Sequence, residues 1–100
     1  MHMLKDLLQG VEVRSVVGDE TVQVTDIEFD SRKVKSGSLF FATRGTQVDG
    51  HTYIPAAIAA GAGAVVCEEL PAERPEGVTF VKVADSTVAL GEMASAFYGY

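Results

Sequence analysis

Tryptophan is absent from the 100 residues, cysteine occurs once and histidine only twice. A single cysteine, Cys67, excludes an internal disulfide, and its setting in "GAVVCEE" marks it as a buried strand residue without chemistry of its own. His51 has no second histidine or cysteine nearby with which to hold a metal, so a histidine at a turn or helix start is the plainer role and no metal site is expected. Long hydrophobic runs are missing as well. No stretch approaches the ~20 apolar residues of a membrane span. The opening "MHMLKDLLQG" lacks the apolar centre of a secretory signal. The expectation is a soluble, cytoplasmic protein with no membrane partner. Sequence signatures of catalysis are equally scarce: there is no GxxxxGK[ST], GxGxxG, HExxH or CxxC. No catalytic residue is expected in this chain. Met1 and His2, ahead of a second methionine, read as cloning remnants and enter no further inference.

What is present is a folding composition, 47% hydrophobic and 22% charged, enough for one compact core. The net charge of −6 argues against nucleic acid as a partner, because phosphates attract basic surfaces. The charge is unevenly spread. Residues 29 to 51 hold Arg32, Lys33, Lys35 and Arg44 against Asp30 and Asp49, whereas the remainder holds four bases and twelve acids. Such a segment can hold a small anion, or it can be a solvated basic loop.

The patterning predicts an α/β domain. "LKDLL" places Leu4, Leu7 and Leu8 on one helical face and stops at Gly10. "VEVRSVV" reads as a strand. In "TVQVTDIEFDS", Val22 and Val24 alternate in one phase and Ile27 and Phe29 in the other, which requires a bulge or a strand that changes sheets. "LFFA" is a strand between turn signals. A helix follows, capped by Asp49 or Thr52, with Pro55 in its first turn and Gly61 at its end. "AVVCEE" does not alternate, as befits a parallel strand buried on both faces. This is a βαβ unit. "LPAERPEG" is a surface loop and "VTFVKV" a further strand. A last helix is expected to be capped by Ser86 or Thr87 and to bury Val88, Leu90, Met93, Ala94 and Phe97. Ending just past this helix without a polar tail, the chain reads as the first part of a longer protein.

The segment "FDSRKVKSGSLFFATRGTQVDGHTYIPAAIAAGAGAVVCEE" carries DSR, then valine, a small residue and glycine before an LFxA strand, then D-G-H, an alanine-rich helix and G-A-x-A-V-V. In that order these elements resemble the N-terminal domain of the Mur ligases, ATP-dependent amide ligases that build the peptidoglycan stem peptide. "LKDLL" before them and "AFYGY" after them extend the resemblance over nearly the whole chain. Within the family it is most similar to the branch that adds the third amino acid to UDP-N-acetylmuramoyl-L-alanyl-D-glutamate. The neighbouring branch, which adds D-Ala-D-Ala, is the alternative, and a free-standing, non-catalytic α/β interaction module is the alternative from another class.

The resemblance implies a small Rossmann-like domain, with a mixed sheet flanked by helices, spanning residues 1–100 and binding the UDP end of the substrate. The central ATPase domain and the C-terminal domain would lie elsewhere in the protein and be its partners. ATP and Mg2+ would serve the full-length enzyme, with no cofactor on this domain. By the same resemblance Phe29 (through its backbone) and Ser31 (through its hydroxyl) contact the uridine side, and Thr46, Gln47 and Val48 the rest of UDP. Arg32, Asp49 and His51 stand beside them. Relatives often have histidine or a basic residue where Thr46 stands. The chemistry is compatible with the assignment: a diphosphate needs N–H donors and positive potential, which a glycine-containing loop entering a helix supplies. Uracil needs one acceptor and a few donors, within reach of a strand-end backbone and one hydroxyl.

Overall fold

The computed structural model describes residues 2–44 and 49–99. A two-residue strand β1 (His2–Met3) leads into helix α1 (Leu4–Leu7), which buries Leu4 and Leu7. β2 (Val13–Val17) follows, then β3 (Gln23–Val24) and β4 (Asp26–Glu28). A 3-10 turn at Ser31–Lys33 precedes β5 (Ser38–Phe41). A second 3-10 turn, Gly50–Tyr53, runs directly into α2 (Ile54–Ala59). β6 (Ala64–Cys67), β7 (Thr79–Val83) and α3 (Ser86–Tyr98) complete the order.

The main sheet has five strands in the order β2-β7-β6-β5-β4. β4, β5, β6 and β7 are parallel, and β2 joins β7 antiparallel at the edge, so the sheet is mixed. Alternation along the central strands divides the core into two. Leu39, Phe41, Ala64, Val66, Val81 and Val83 face α1 and α3, where Leu4, Leu7, Ala89 and Met93 cover them. Phe40, Val65, Cys67 and Phe80 face the other way, beneath Val34, Ile54 and Ala57. Helices on both faces explain why "LFFA" and "AVVC" are apolar without a break. Cys67 is fully buried within β6, and that burial pushes its thiol up to about 11.

The change of phase between Val24 and Ile27 has a topological cause. β3 pairs with β1 in a separate two-stranded sheet, whereas β4 pairs with β5 in the main sheet. Thr25, between them, donates its N–H to the Gly37 carbonyl at 3.0 Å. The strand therefore changes sheets, as its pattern requires. His2 belongs to this arrangement: it pairs with Val24, and its ring lies 4.7 Å from that of Phe97.

The last helix departs from expectation in two places. Asp85, not Ser86 or Thr87, is the cap, accepting from the N–H groups of Thr87 and Val88. Ser86 is buried inside the first turn, where its N–H and hydroxyl both bond Glu68 at 2.8 Å. Pinning Ser86 inward sets the rotation of the helix, so Ala89 and Met93 are buried with it and Val88 is exposed.

Candidate functional site

Ligands of open α/β sheets bind beyond the carboxyl ends of parallel strands. At the ends of β4 and β5 the structure forms an open cleft of about 540 Å³ lined by Phe29, Asp30, Ser31, Arg32, Thr43, Gly50 and Tyr53. The "DSR" turn and the start of the "DGH" turn, about twenty residues apart in sequence, thus become opposite parts of one wall.

Each side of the cleft is shaped by an aspartate. Asp30 accepts the Arg32 N–H at 3.0 Å and starts the 3-10 turn; it also takes the Arg32 guanidinium, at 3.0 Å from Nε and 2.8 Å from NH2. These bonds, led by the side-chain pair with Arg32, hold the Asp30 carboxyl down at about 2. The Ser31 hydroxyl between them has no partner among the described residues. Two aromatic rings complete the lining: Phe29 is 67% exposed and Tyr53 43%. Open rings at the mouth of a cleft offer apolar surface that a flat ligand can cover.

On the other side Asp49 accepts the backbone N–H of His51 at 3.0 Å and a bond from its Nδ1 at 2.7 Å, and its carboxyl is lowered first by that backbone bond. Gly50 lies against the end of β5, donating its N–H to the Thr43 carbonyl at 2.7 Å. A Cβ at Gly50 would come within 2.8 Å of the backbone nitrogen and oxygen of Thr43. Only glycine fits that approach.

Of the residues proposed from sequence, Phe29, Ser31 and Arg32 line the cleft, and Asp49 and His51 stand at its Gly50 side. His51 faces away from it, bonded to the turn after β6. Thr46, Gln47 and Val48 lie outside the described residues. Thr43 and Tyr53 were not anticipated as lining; the sequence signal for Tyr53 was an aromatic residue ahead of a helix start, which also fits a packed position.

The basic segment is less free than its composition suggested. Arg32 is paired with Asp30, Lys35 with Asp26 at 3.1 Å, and Arg44 with Glu68 and Glu69 at 3.3 and 2.9 Å. Among the described residues only Lys33 of the four is without an ion pair. A pool of unpaired positive charge awaiting an anion is therefore not what residues 29 to 51 provide; they provide turns, N–H groups and open rings.

The family model for "Mur ligase family, catalytic domain" matches residues 23–98. The chain belongs to the Mur ligase family. Curated relatives agree: it is 51% identical over 96 residues to the UDP-N-acetylmuramoyl-L-alanyl-D-glutamate–2,6-diaminopimelate ligase of Bacteroides fragilis, covering 96% of this chain and 20% of that protein. It is 52% identical over 96 residues to the ligase of the same name from Cytophaga hutchinsonii, covering 95% and 20%. The chain thus spans about a fifth of the length of these relatives. Among solved structures, a crystal structure of MurF from Acinetobacter baumannii superposes with a TM-score of 0.75 at 24% identity, covering 94% of this chain and 20% of that one. At that identity the likeness carries the fold. The MurF ligase of Thermotoga maritima in complex with ADP superposes with a TM-score of 0.63 at 26% identity, over 78% of this chain and 17% of that one. The Mur ligase model is described as catalytic, yet the matched stretch contains no phosphate-binding lysine motif.

Proposed function

We propose that residues 1–100 are the N-terminal, UDP-binding domain of an ATP-dependent ligase of peptidoglycan synthesis. Its substrate is UDP-N-acetylmuramoyl-L-alanyl-D-glutamate, and the amino acid added is 2,6-diaminopimelate, following the names of the relatives. The enzyme works in the cytoplasm, where nucleotide-activated precursors and ATP are at hand. The central and C-terminal domains are its intramolecular partners. The observation that carries the reading is the cleft, which brings Phe29 to Arg32, one of the segments that the family resemblance assigns to UDP, together with Gly50, which follows the other in sequence.

In this reading the Ser31 hydroxyl and strand-end backbone orient the uracil, while Phe29 and Tyr53 supply apolar surface for its flat face. Thr46, Gln47 and Val48 join the site by sequence resemblance alone. Asp30 and Asp49 hold the two turns in shape and do not face the ligand with free charge, which would repel a diphosphate. ATP and Mg2+ are given no place in this domain, whose sequence lacks the phosphate-binding lysine motif. Those groups belong to the rest of the ligase, and amide formation with them.

The D-Ala-D-Ala-adding branch shares the fold, but the two MurF structures named above are 24 and 26% identical to this chain, against 51% for the diaminopimelate ligase of Bacteroides fragilis. Calorimetric titration of the chain with UDP tests the function. Ser31→Ala should weaken binding by about 1 kcal/mol, one neutral hydrogen bond, without changing the melting temperature. Equal affinity of the variant and the parent would remove Ser31 from the site, and no detectable UDP binding in the full-length ligase would favour an interaction module.

A further inference from the structure

Both ends of the segment between Arg44 and Asp49 are fixed to one place, the Glu68–Glu69 turn that leaves β6. Their backbones pair with each other antiparallel. From one end, the Arg44 guanidinium reaches Glu68 Oε1 at 3.3 Å through Nε and Glu69 Oε1 at 2.9 Å through NH2. From the other, His51 Nε2 accepts the backbone N–H of Glu68 at 2.9 Å and of Glu69 at 3.2 Å. A ring nitrogen that accepts carries no proton, so the proton is on Nδ1, which donates to Asp49. Behind the turn, the second oxygen of Glu68 takes the N–H and hydroxyl of Ser86 at the start of α3. The His51 side chain is mostly buried, so this is a set of anchored contacts and not a surface encounter.

We propose that Arg44 and His51 are positioning residues, which hold the Gly50 turn at the wall of the open cleft through the Glu68–Glu69 turn, and that Arg44 does not itself touch the ligand. Two features of the geometry support this. A guanidinium shared between two carboxylates has its charge already matched, and releasing it to a phosphate would leave both glutamates without their partner. The imidazole has both nitrogens engaged inside the protein, so neither is available to a ligand. Fixing the Gly50 turn in advance removes part of the ordering cost that a ligand would otherwise bear. The inference on ligand affinity rests on the UDP reading; the inference on the anchor does not.

The test therefore has two arms on the same chain. Without ligand, amide hydrogen exchange at Gly50, His51, Glu68 and Glu69 should quicken roughly tenfold or more in Arg44→Gln and in His51→Ala, while the β2 and β7 amides stay as they are. His51→Gln, whose side-chain oxygen can still accept from Glu68, should restore part of the protection and covers the case in which the alanine variant does not fold. With UDP, Arg44→Gln should lose roughly three- to tenfold in affinity. In a Glu68→Gln/Glu69→Gln background the same change should cost less than about twofold, because its partners are already gone. Unchanged exchange in Arg44→Gln and the folded His51 variant would overturn the anchor whatever the ligand does. Additive losses in the cycle would mean that Arg44 contacts UDP directly and would overturn its positioning role. If the parent chain bound no UDP, the UDP reading would fail on that arm, and the exchange arm would still decide the anchor.

Discussion

Two clefts lie along the carboxyl edge of the same sheet, and they are built to opposite rules. The one beyond β4 and β5 leaves groups unsatisfied: Phe29 and Tyr53 are open to solvent and the Ser31 hydroxyl has no protein partner among the described residues. The one beyond β6 and β7, about 440 Å³ and lined by Arg14, Arg44, Glu68, Glu69, Lys82, Val83 and Ala84, carries more charge. Its Arg44 and both glutamates nevertheless bond one another, and Glu68 also holds Ser86. Density of charge is therefore a poor guide to where this domain would hold a ligand. Residual bonding capacity is the better one: among the described residues the second cleft ties Arg44, Glu68 and Glu69 together and leaves Lys82 without an ion pair, whereas the first keeps an open hydroxyl and two open rings.

The difference can be broken at the residue that joins the two. Gly50 carries the wall of the first cleft against β5, and it begins the turn whose His51 reaches the second. Gly50→Ala forces a Cβ to 2.8 Å from the Thr43 backbone, which has no flexible end to give way. Thermal unfolding should show a loss of about 1–3 kcal/mol, typical of overpacking, together with loss of UDP binding. A variant as stable as the parent would mean that the Thr43 contact is relaxed in solution.

A smaller effect sharpens the comparison from the side of the first cleft. Asp30 has a carboxyl depressed to about 2, from an ordinary value of 3.8, mainly by its bonds to Arg32. The folded state therefore favours the carboxylate. Its contribution is present above about pH 3.8 and is lost as pH falls towards 2. Because the group is exposed the effect is small. Asp30→Asn should lower stability slightly at neutral pH, and the gap from the parent should close as the pH approaches 2. A gap that persisted at pH 2 would point to a role other than the ionised pair with Arg32.

Much of the frame was readable in advance because it depends on local pattern. The unbroken apolar run at 64–67 announced a strand covered on both faces, and the phase change after Val24 announced a bulge or a change of sheet, of which the fold takes the second. The grouping of Phe29, Ser31 and Arg32 with the "DGH" turn was readable through family resemblance. What escaped depends on partners distant in sequence. Ser86 looks like a cap until Glu68, eighteen residues away, draws it inward; the same contact turns Val88 outward. Three of the four basic residues looked free because their acidic partners, Asp26, Glu68 and Glu69, lie outside the segment in which they were counted, and Asp30 was counted there only as charge. His51 could be read as a turn or helix-start histidine, but only the fold supplies the backbone N–H groups that use its second nitrogen.

The central claim, that the open cleft and not the charged one receives the nucleotide, is tested most directly by following backbone amide NMR shifts while UDP is added to the chain. The account predicts that the largest shifts cluster at residues 29–32 and 43–53, with Lys82, Val83 and Ala84 nearly unmoved. Shifts centred on Arg14, Lys82 and Ala84, with Phe29 and Ser31 unmoved, would contradict it.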